Sequence, residues 1–408
     1  MNIIQVWRTF SAAPHRMFFF CGVMQALLII LWWLADLAGR FGGFYQPFQW
    51  SVVPPDAHAF LMVYGFFPLF IFGFLMTTYP RWMNGEEVER DFYVPAALLL
   101  ASGILIFYIA LIWFKSLLIL SALLFLTGWG VALAALLGVY LRAQHPDKRH
   151  AHITSTVLTV GWLLAAGWFI GEMHDVSFLV ALAKSGGIWV FLLPVFFAVS
   201  HRMIPFFSAN VIPDYRIVRP MWPLALVPSG ALLHCILELS GLSAWLWLVD
   251  LPMAAVALYL TLAWRFRDSL GTPLLAMLHV GFAWLGVALL LSGGQSLALL
   301  AGHSILGKAP LHALTMGYFA SMALGMITRV TLGHSGRTLA ADRLTWALFL
   351  VFQAVIAVRI VADLPGMGFV ARGYLYIAAA MLWLACFVLW AWHFAPIYWR
   401  PRPDGRPG

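Results

Sequence analysis

The chain has 408 residues, is 63% hydrophobic and 10% charged, and carries a formal net charge of +8. A soluble protein of this length would carry roughly 25% charged residues, so a water-soluble globular fold is excluded. No basic stripe lies on a soluble segment, so no nucleic-acid partner is expected.

The apolar residues form twelve runs, each near the ~20 residues that cross a bilayer as a helix. They fall at about 17–38, 57–79, 93–113, 117–141, 153–170, 187–206, 221–240, 245–264, 273–292, 311–330, 344–362 and 373–395. This predicts an all-α polytopic membrane protein. Residues 1–400 form one integral membrane domain, and the Pro/Gly/Arg-rich residues 401–408 a disordered cytoplasmic tail. The first run is long and no small-residue cleavage site follows it, so it reads as a span and not as a signal peptide. With the N-terminus inside, eighteen Lys/Arg fall on the inner face and six on the outer. That asymmetry predicts both termini in the cytoplasm.

Taken in chain order, the spans carry an unusual set of polar side chains. An ionisable group in hydrocarbon is costly and points to function. The second span opens with His58 and carries Met62 four residues on, on one helix face. The fifth ends in Glu172-Met173-His174 at the outer side. The sixth ends at the inner side in His201-Arg202-Met203-Ile204-Pro205-Phe206-Phe207. The seventh holds His234 and Glu238 in its outer half, and the eighth begins near Asp250. The ninth carries His279 near its inner end. The tenth opens with His312-Ala313-Leu314-Thr315-Met316-Gly317-Tyr318, which matches the start of the second at His, Ala, Met and Tyr. It ends in Thr328-Arg329, followed by His334 and Arg337. The three cysteines, Cys21, Cys235 and Cys386, lie in apolar spans without metal-type spacing.

His58 and His312 are the axial-ligand pair expected for a haem, since both sit at matching depth near the outer face. A second metal or haem site is expected at the inner face. There His201, His279 and His334 would converge, with Arg202 and Arg329 beside them. Glu172, His234 and Glu238 are the candidate catalytic groups for moving protons. No Walker loop, dinucleotide fingerprint or nucleophilic triad is present.

Three stretches are similar to a known family. They are His201-Arg-Met-Ile-Pro-Phe-Phe, the tenth-span run from His312 through Met326-Ile-Thr-Arg329 to His334-Ser-Gly-Arg337, and Gly73-Phe-Leu-Met-Thr-Thr-Tyr-Pro80-Arg-Trp82. They resemble the NnrS family over nearly the whole chain. The resemblance implies a twelve-span bacterial inner-membrane protein holding haem and copper and tied to nitric oxide and nitrosative stress. The chain departs from the family's His-Glu-Met run in the second span, where Ala59 follows His58. A weaker likeness is to haem-copper oxidases and nitric oxide reductases, which carry haem ligands on helices 2 and 10 and metal ligands on helices 6 and 7. His58, His312, His201 and His234 fall on those helices, although His201 lies at the opposite depth. This is analogy at the level of fold.

The expected function is therefore a b-type haem protein, with copper as the second metal, that reduces nitric oxide to nitrous oxide. A quinol or a cytochrome would supply electrons. The alternative is non-catalytic binding, clearance or sensing of nitric oxide or iron-nitrosyl species. A third reading, a secondary transporter, lacks an inverted repeat of six spans.

Overall fold

A computed structural model describes residues 2–405. The described residues contain helices and connections and no strand. Ten helices are long and apolar enough to cross a membrane: α1 Pro14–Arg40, α2 Pro54–Trp82, α3 Arg90–Ile112, α4 Lys115–Arg142, α5 Arg149–Met173, α6 Ser177–Ala209, α9 Pro273–Leu300, α10 Ala309–His334, α11 Arg343–Val361 and α12 Phe369–Trp399. The two apolar helices between them, α7 Pro223–Leu239 and α8 Trp247–Ala263, have 17 residues each. At 1.5 Å per residue they span ~25 Å, short of a ~30 Å hydrocarbon core. The chain is a multi-pass membrane protein, with ten long helices among the described residues and the shorter α7 and α8 at the seventh and eighth expected spans.

Sequence neighbours pack antiparallel, α1 on α2, α3 on α4, α8 on α9 and α11 on α12, and α12 returns to pack against α1. Large apolar side chains face outward, among them Leu123 at 62%, Leu262 at 76% and Trp392 at 84% exposure. In water such a surface would be unstable; against lipid tails it is the expected one. α3 and α4 approach through glycine. A Cβ on Gly103 would lie 2.7 Å from Phe125 N, and one on Gly128 would lie 2.7 Å from Leu100 N. Small residues let helix backbones close in where lipid offers no competing hydrophobic drive.

α2 and α10 run through the middle, with 89% and 78% of their apolar windows buried. Each contains a π-helical segment, Leu61–Phe66 in α2 and Ala313–Ala320 in α10, and α6 contains a third, Gly187–Leu192. Two have a local cause. Pro68 and Pro194 stand two residues past the ends of their segments. Proline donates no backbone hydrogen bond and clashes with the preceding turn, and a widened turn relieves both problems. Polar side chains from neighbours serve these turns. Gln25 Nε2 donates to the Leu61 carbonyl at 3.3 Å, and Tyr108 Oη donates to Gln25 Oε1 at 3.1 Å. At α10, Gln353 Nε2 donates to Ser321 Oγ at 3.2 Å, and Gln353 Oε1 accepts from Trp284 Nε1 at 2.8 Å.

The tail does not leave the bundle at residue 401. Arg402 donates to the His334 carbonyl at 3.0 Å and to both oxygens of Asp404. The rest of the expected tail, residues 406–408, lies outside the described residues.

Candidate functional site

The starts of α2 and α10 lie at the same end of the bundle. His58 and His312 lie within electrostatic reach of each other, and Arg359 from α11 reaches both. Trp33 of α1 stacks on the His58 ring with centroids 4.1 Å apart, which fixes the plane of the imidazole. His58 Nδ1 is buried and has no hydrogen-bond partner. His312 Nδ1 lies 3.0 Å from the Lys308 carbonyl. A carbonyl can only accept, so Nδ1 carries the proton and Nε2 presents a lone pair.

Two arginine–aspartate pairs flank these histidines. Arg40 Nε donates to Asp36 Oδ2 at 2.6 Å, and Trp50 Nε1 donates to the other oxygen at 3.0 Å. Arg359 donates to Asp363 at 2.7 Å and stacks on Tyr376 at 4.3 Å. Both are i,i+4 pairs, and Asp36 and Asp363 are both buried. Sequence reasoning used the two arginines for topology and passed over their acids. The i,i+4 spacing, in the last turn of α1 and across the end of α11, was the available signal.

The expected sharing of one face by His58 and Met62, and by His312 and Met316, needs correction. The π segments begin at Leu61 and Ala313, so residues four apart there no longer align as in an α-helix. Both methionines remain half-buried.

A second polar cluster sits where α6, α7 and α8 meet. His234 Nδ1 donates to Asp250 Oδ1 at 2.6 Å, with side chains 3% and 0% exposed. Trp189, inside the π segment of α6, stacks on the His234 ring at 3.5 Å between centroids. Asp250 Oδ2 is buried without a partner. Nearby, Ser185 Oγ donates to Glu238 Oε2 at 2.5 Å and lies 3.4 Å from Cys235 Sγ. Glu172 is half-buried at the end of α5, within electrostatic reach of Asp56 and Lys184, while His174 is exposed.

At the other end of the bundle the motif from His201 to Phe207, with Ser208 after it, spreads its side chains onto different neighbours. Successive helical residues point about 100° apart, and each finds a different neighbour. His201 Nδ1 lies 3.0 Å from His150 Nε2 on α5, and its Nε2 lies 2.8 Å from the Pro220 carbonyl. Arg202 donates to the Trp82 carbonyl at 3.2 Å and lies over the Trp82 ring at 5.0 Å. Phe207 receives the Arg329 guanidinium at 3.9 Å. Ser208 Oγ lies 2.9 Å from His279 Nε2. His334 belongs to another contact, with His15 at 5.0 Å between ring centroids. Among the described residues no group of three His, Cys, Asp or Glu side chains is spaced to hold a metal ion. The three expected inner ligands, His201, His279 and His334, are therefore not gathered into one such cluster.

The His150–His201 pair has a fixed direction. The Pro220 carbonyl accepts, so His201 Nε2 carries hydrogen and its Nδ1 accepts from His150 Nε2–H. That leaves His150 Nδ1 bare, and it is buried without a partner. His150 follows the basic Lys148-Arg149, yet it is 2% exposed.

Between the two ends, an apolar pocket lies among α2, α6 and α10, lined by Phe70, Phe74, Phe196, Val199, Met322 and Met326. Beside it Ser200 Oγ and Tyr318 Oη meet at 3.1 Å.

A comparison with protein families matches residues 9–402 to the model described as NnrS protein. No curated protein matches the chain.

Proposed function

The chain belongs to the NnrS family of membrane proteins of the nitric oxide response, and from that premise we propose that it holds a haem between His58 and His312 and reduces nitric oxide to nitrous oxide. The observation that carries this reading is the pair of histidines at one depth on the two central helices. The donor set fits the group. His58 has an orphaned buried ring nitrogen, and the Lys308 carbonyl holds His312 in the tautomer whose Nε2 is free. The chain has no Cys-x-x-Cys-His run for covalent c-type attachment, and the reading is of a non-covalent haem, taken as b type. Haem iron held there by both imidazoles would supply a redox centre, and nitric oxide would reach the iron only where one of the two gives way.

Joining two nitric oxide molecules into nitrous oxide and water consumes two electrons and two protons. A quinol or cytochrome donates the electrons. His234 and Asp250 hold a proton between them in a dry site, and Glu238 and Glu172 lie in the same half of the bundle. The apolar pocket suits a small, weakly polar substrate that dissolves in the bilayer. The membrane is the bacterial cytoplasmic membrane, with the Lys/Arg-rich ends inward. Copper fits less well. Both ring nitrogens of His201 already have partners, so no step is assigned to copper.

The test is anaerobic nitric oxide consumption by purified protein with a chemical reductant, with headspace nitrous oxide measured alongside. One nitrous oxide per two nitric oxide consumed is the expected result. Stoichiometric uptake without nitrous oxide would replace this reading with binding or clearance. A protein isolated without a haem absorption band would remove both.

A further inference from the structure

The start of α1 is a buried, basic place. His15 and Arg16 stand in its first turn, each 3% exposed. Arg16 Nη1 donates to the carbonyls of Ile397, Tyr398 and Arg400 at the end of α12, at 3.4, 3.0 and 3.1 Å. These bonds hold the guanidinium in place but leave Arg16 Nε buried with no acceptor, and His15 Nδ1 is likewise buried with no partner. Further cations surround them. Arg81 from the end of α2 lies within electrostatic reach of His15 and His334, Arg337 and Arg402 reach Arg16, and Arg400 reaches Arg337. Asp404, the acid the tail brings, is bound to Arg402 through both its oxygens.

The backbone adds to this. α1 begins with Pro14, and its N-cap, Ala13, supplies no side-chain cap. A long helix carries about half a positive charge at its N-terminus; here the Arg16 N–H turns back to the Ala13 carbonyl at 3.2 Å, and no side chain caps the turn. An uncapped helix start, an orphaned guanidinium nitrogen and an orphaned imidazole nitrogen thus share one site. Such a combination is costly unless an anion completes it.

We propose that the N-terminal turn of α1, with the ends of α2, α10 and α12, is the seat of one phosphate-class oxyanion. A lipid headgroup is the source the surroundings favour. The preceding helix, Ile3–Phe10, exposes Ile3 at 87%, Ile4 at 62% and Trp7 at 40%. An eight-residue helix with such a face lies in a membrane interface. It sets the start of α1 at headgroup depth, where basic pockets between membrane helices take anionic lipid. This site is independent of the haem reading.

The full chain, purified in detergent, is titrated with phosphatidylglycerol and with phosphatidylcholine, and bound lipid is read by native mass spectrometry. A separate arm titrates inorganic phosphate and reads the unfolding temperature. Selective retention of phosphatidylglycerol is expected. Arg81→Gln should weaken it about fivefold, the effect of one basic group near a membrane surface, and His15→Gln should also lower it. Lys115→Gln, at the opposite end, should leave it unchanged. Arg81 is exposed, so its variant is expected to fold; should His15→Gln fail to fold, Arg81→Gln alone decides. Stabilisation by inorganic phosphate without lipid selectivity would uphold the oxyanion seat and assign it to a soluble ligand. Equal retention of both lipids together with no response to phosphate would overturn the proposal. So would an Arg81→Gln variant that retains phosphatidylglycerol like the wild type.

Discussion

Asp250 accepts a hydrogen bond from His234 Nδ1 at 2.6 Å, tying the first turn of α8 to α7 in a place neither solvent nor lipid reaches. Removing one member of such a hydrogen-bonded pair leaves the other unsatisfied in a low-dielectric site, at a cost of ~1–3 kcal/mol. Asp250→Ala should therefore lower the unfolding temperature in detergent by more than His234→Leu/Asp250→Leu together. A double variant less stable than the single one would show that the two side chains are not a unit.

The haem assignment predicts unequal consequences for ligands and neighbours. His58→Ala and His312→Ala should each lose haem or change its spin state. Trp33→Leu, which removes the ring stacked on His58, should keep the haem and broaden its spectrum. Wild-type spectra from both histidine variants would move the cofactor elsewhere.

Gln25 serves the widened turn of α2 through the Leu61 carbonyl. Gln25→Leu leaves that carbonyl without its donor, a loss of about 1–3 kcal/mol. The effect should appear as faster amide exchange over Leu61–Phe66, with little change in α3 or α4. Uniform destabilisation across the bundle would mean the glutamine acts on packing as a whole.

Outside the membrane helices, Asp147 offers a pH test. Hydrogen bonds from Arg149 hold its carboxyl well below the usual carboxylate range. A carboxylate with a depressed folded value contributes stability above its unfolded value of about 4, and the contribution fades as pH falls through the folded value. Asp147→Asn should thus weaken the α4–α5 connection at neutral pH, measured as protease sensitivity. The difference from wild type should vanish only in strong acid.

The charge asymmetry predicts cytoplasmic ends. An alkaline phosphatase fused after residue 405 should be inactive, and one inserted at Gly302, between α9 and α10, should be active. The reverse pattern would invert the topology and place the anion seat on the other leaflet.

Composition and run length made the helical membrane class readable from sequence, because lipid forces backbone groups to pair within each helix. The placement of His58 and His312 on helices entering from one end was readable for the same reason. The arrangement of His201, His279 and His334 was not. Each is brought to the same end of the bundle by a different helix, yet each turns toward a different neighbour, and only packing decides which. Asp36 and Asp363 were legible in principle, since each stands four residues from an arginine. His150 was hidden by its basic neighbours, which gave no sign that the helix turns it inward onto His201. Pro68 and Pro194 marked two π segments. The one in α10 has no such marker in its sequence.

Each π segment places extra residues within its turns, so the part of the helix beyond it is rotated relative to where an uninterrupted α-helix would carry it. In α2 and α10 the rotated parts bear His58 and His312, while the remainder of each helix stays locked in the core. The widened turns therefore work as rotary joints: deleting one residue from Leu61–Phe66 or Ala313–Ala320 would swing a histidine by about 100° around its helix axis and leave the opposite half of the helix in place. Evolution could in this way re-aim the chemistry at one end of the bundle without redesigning the other.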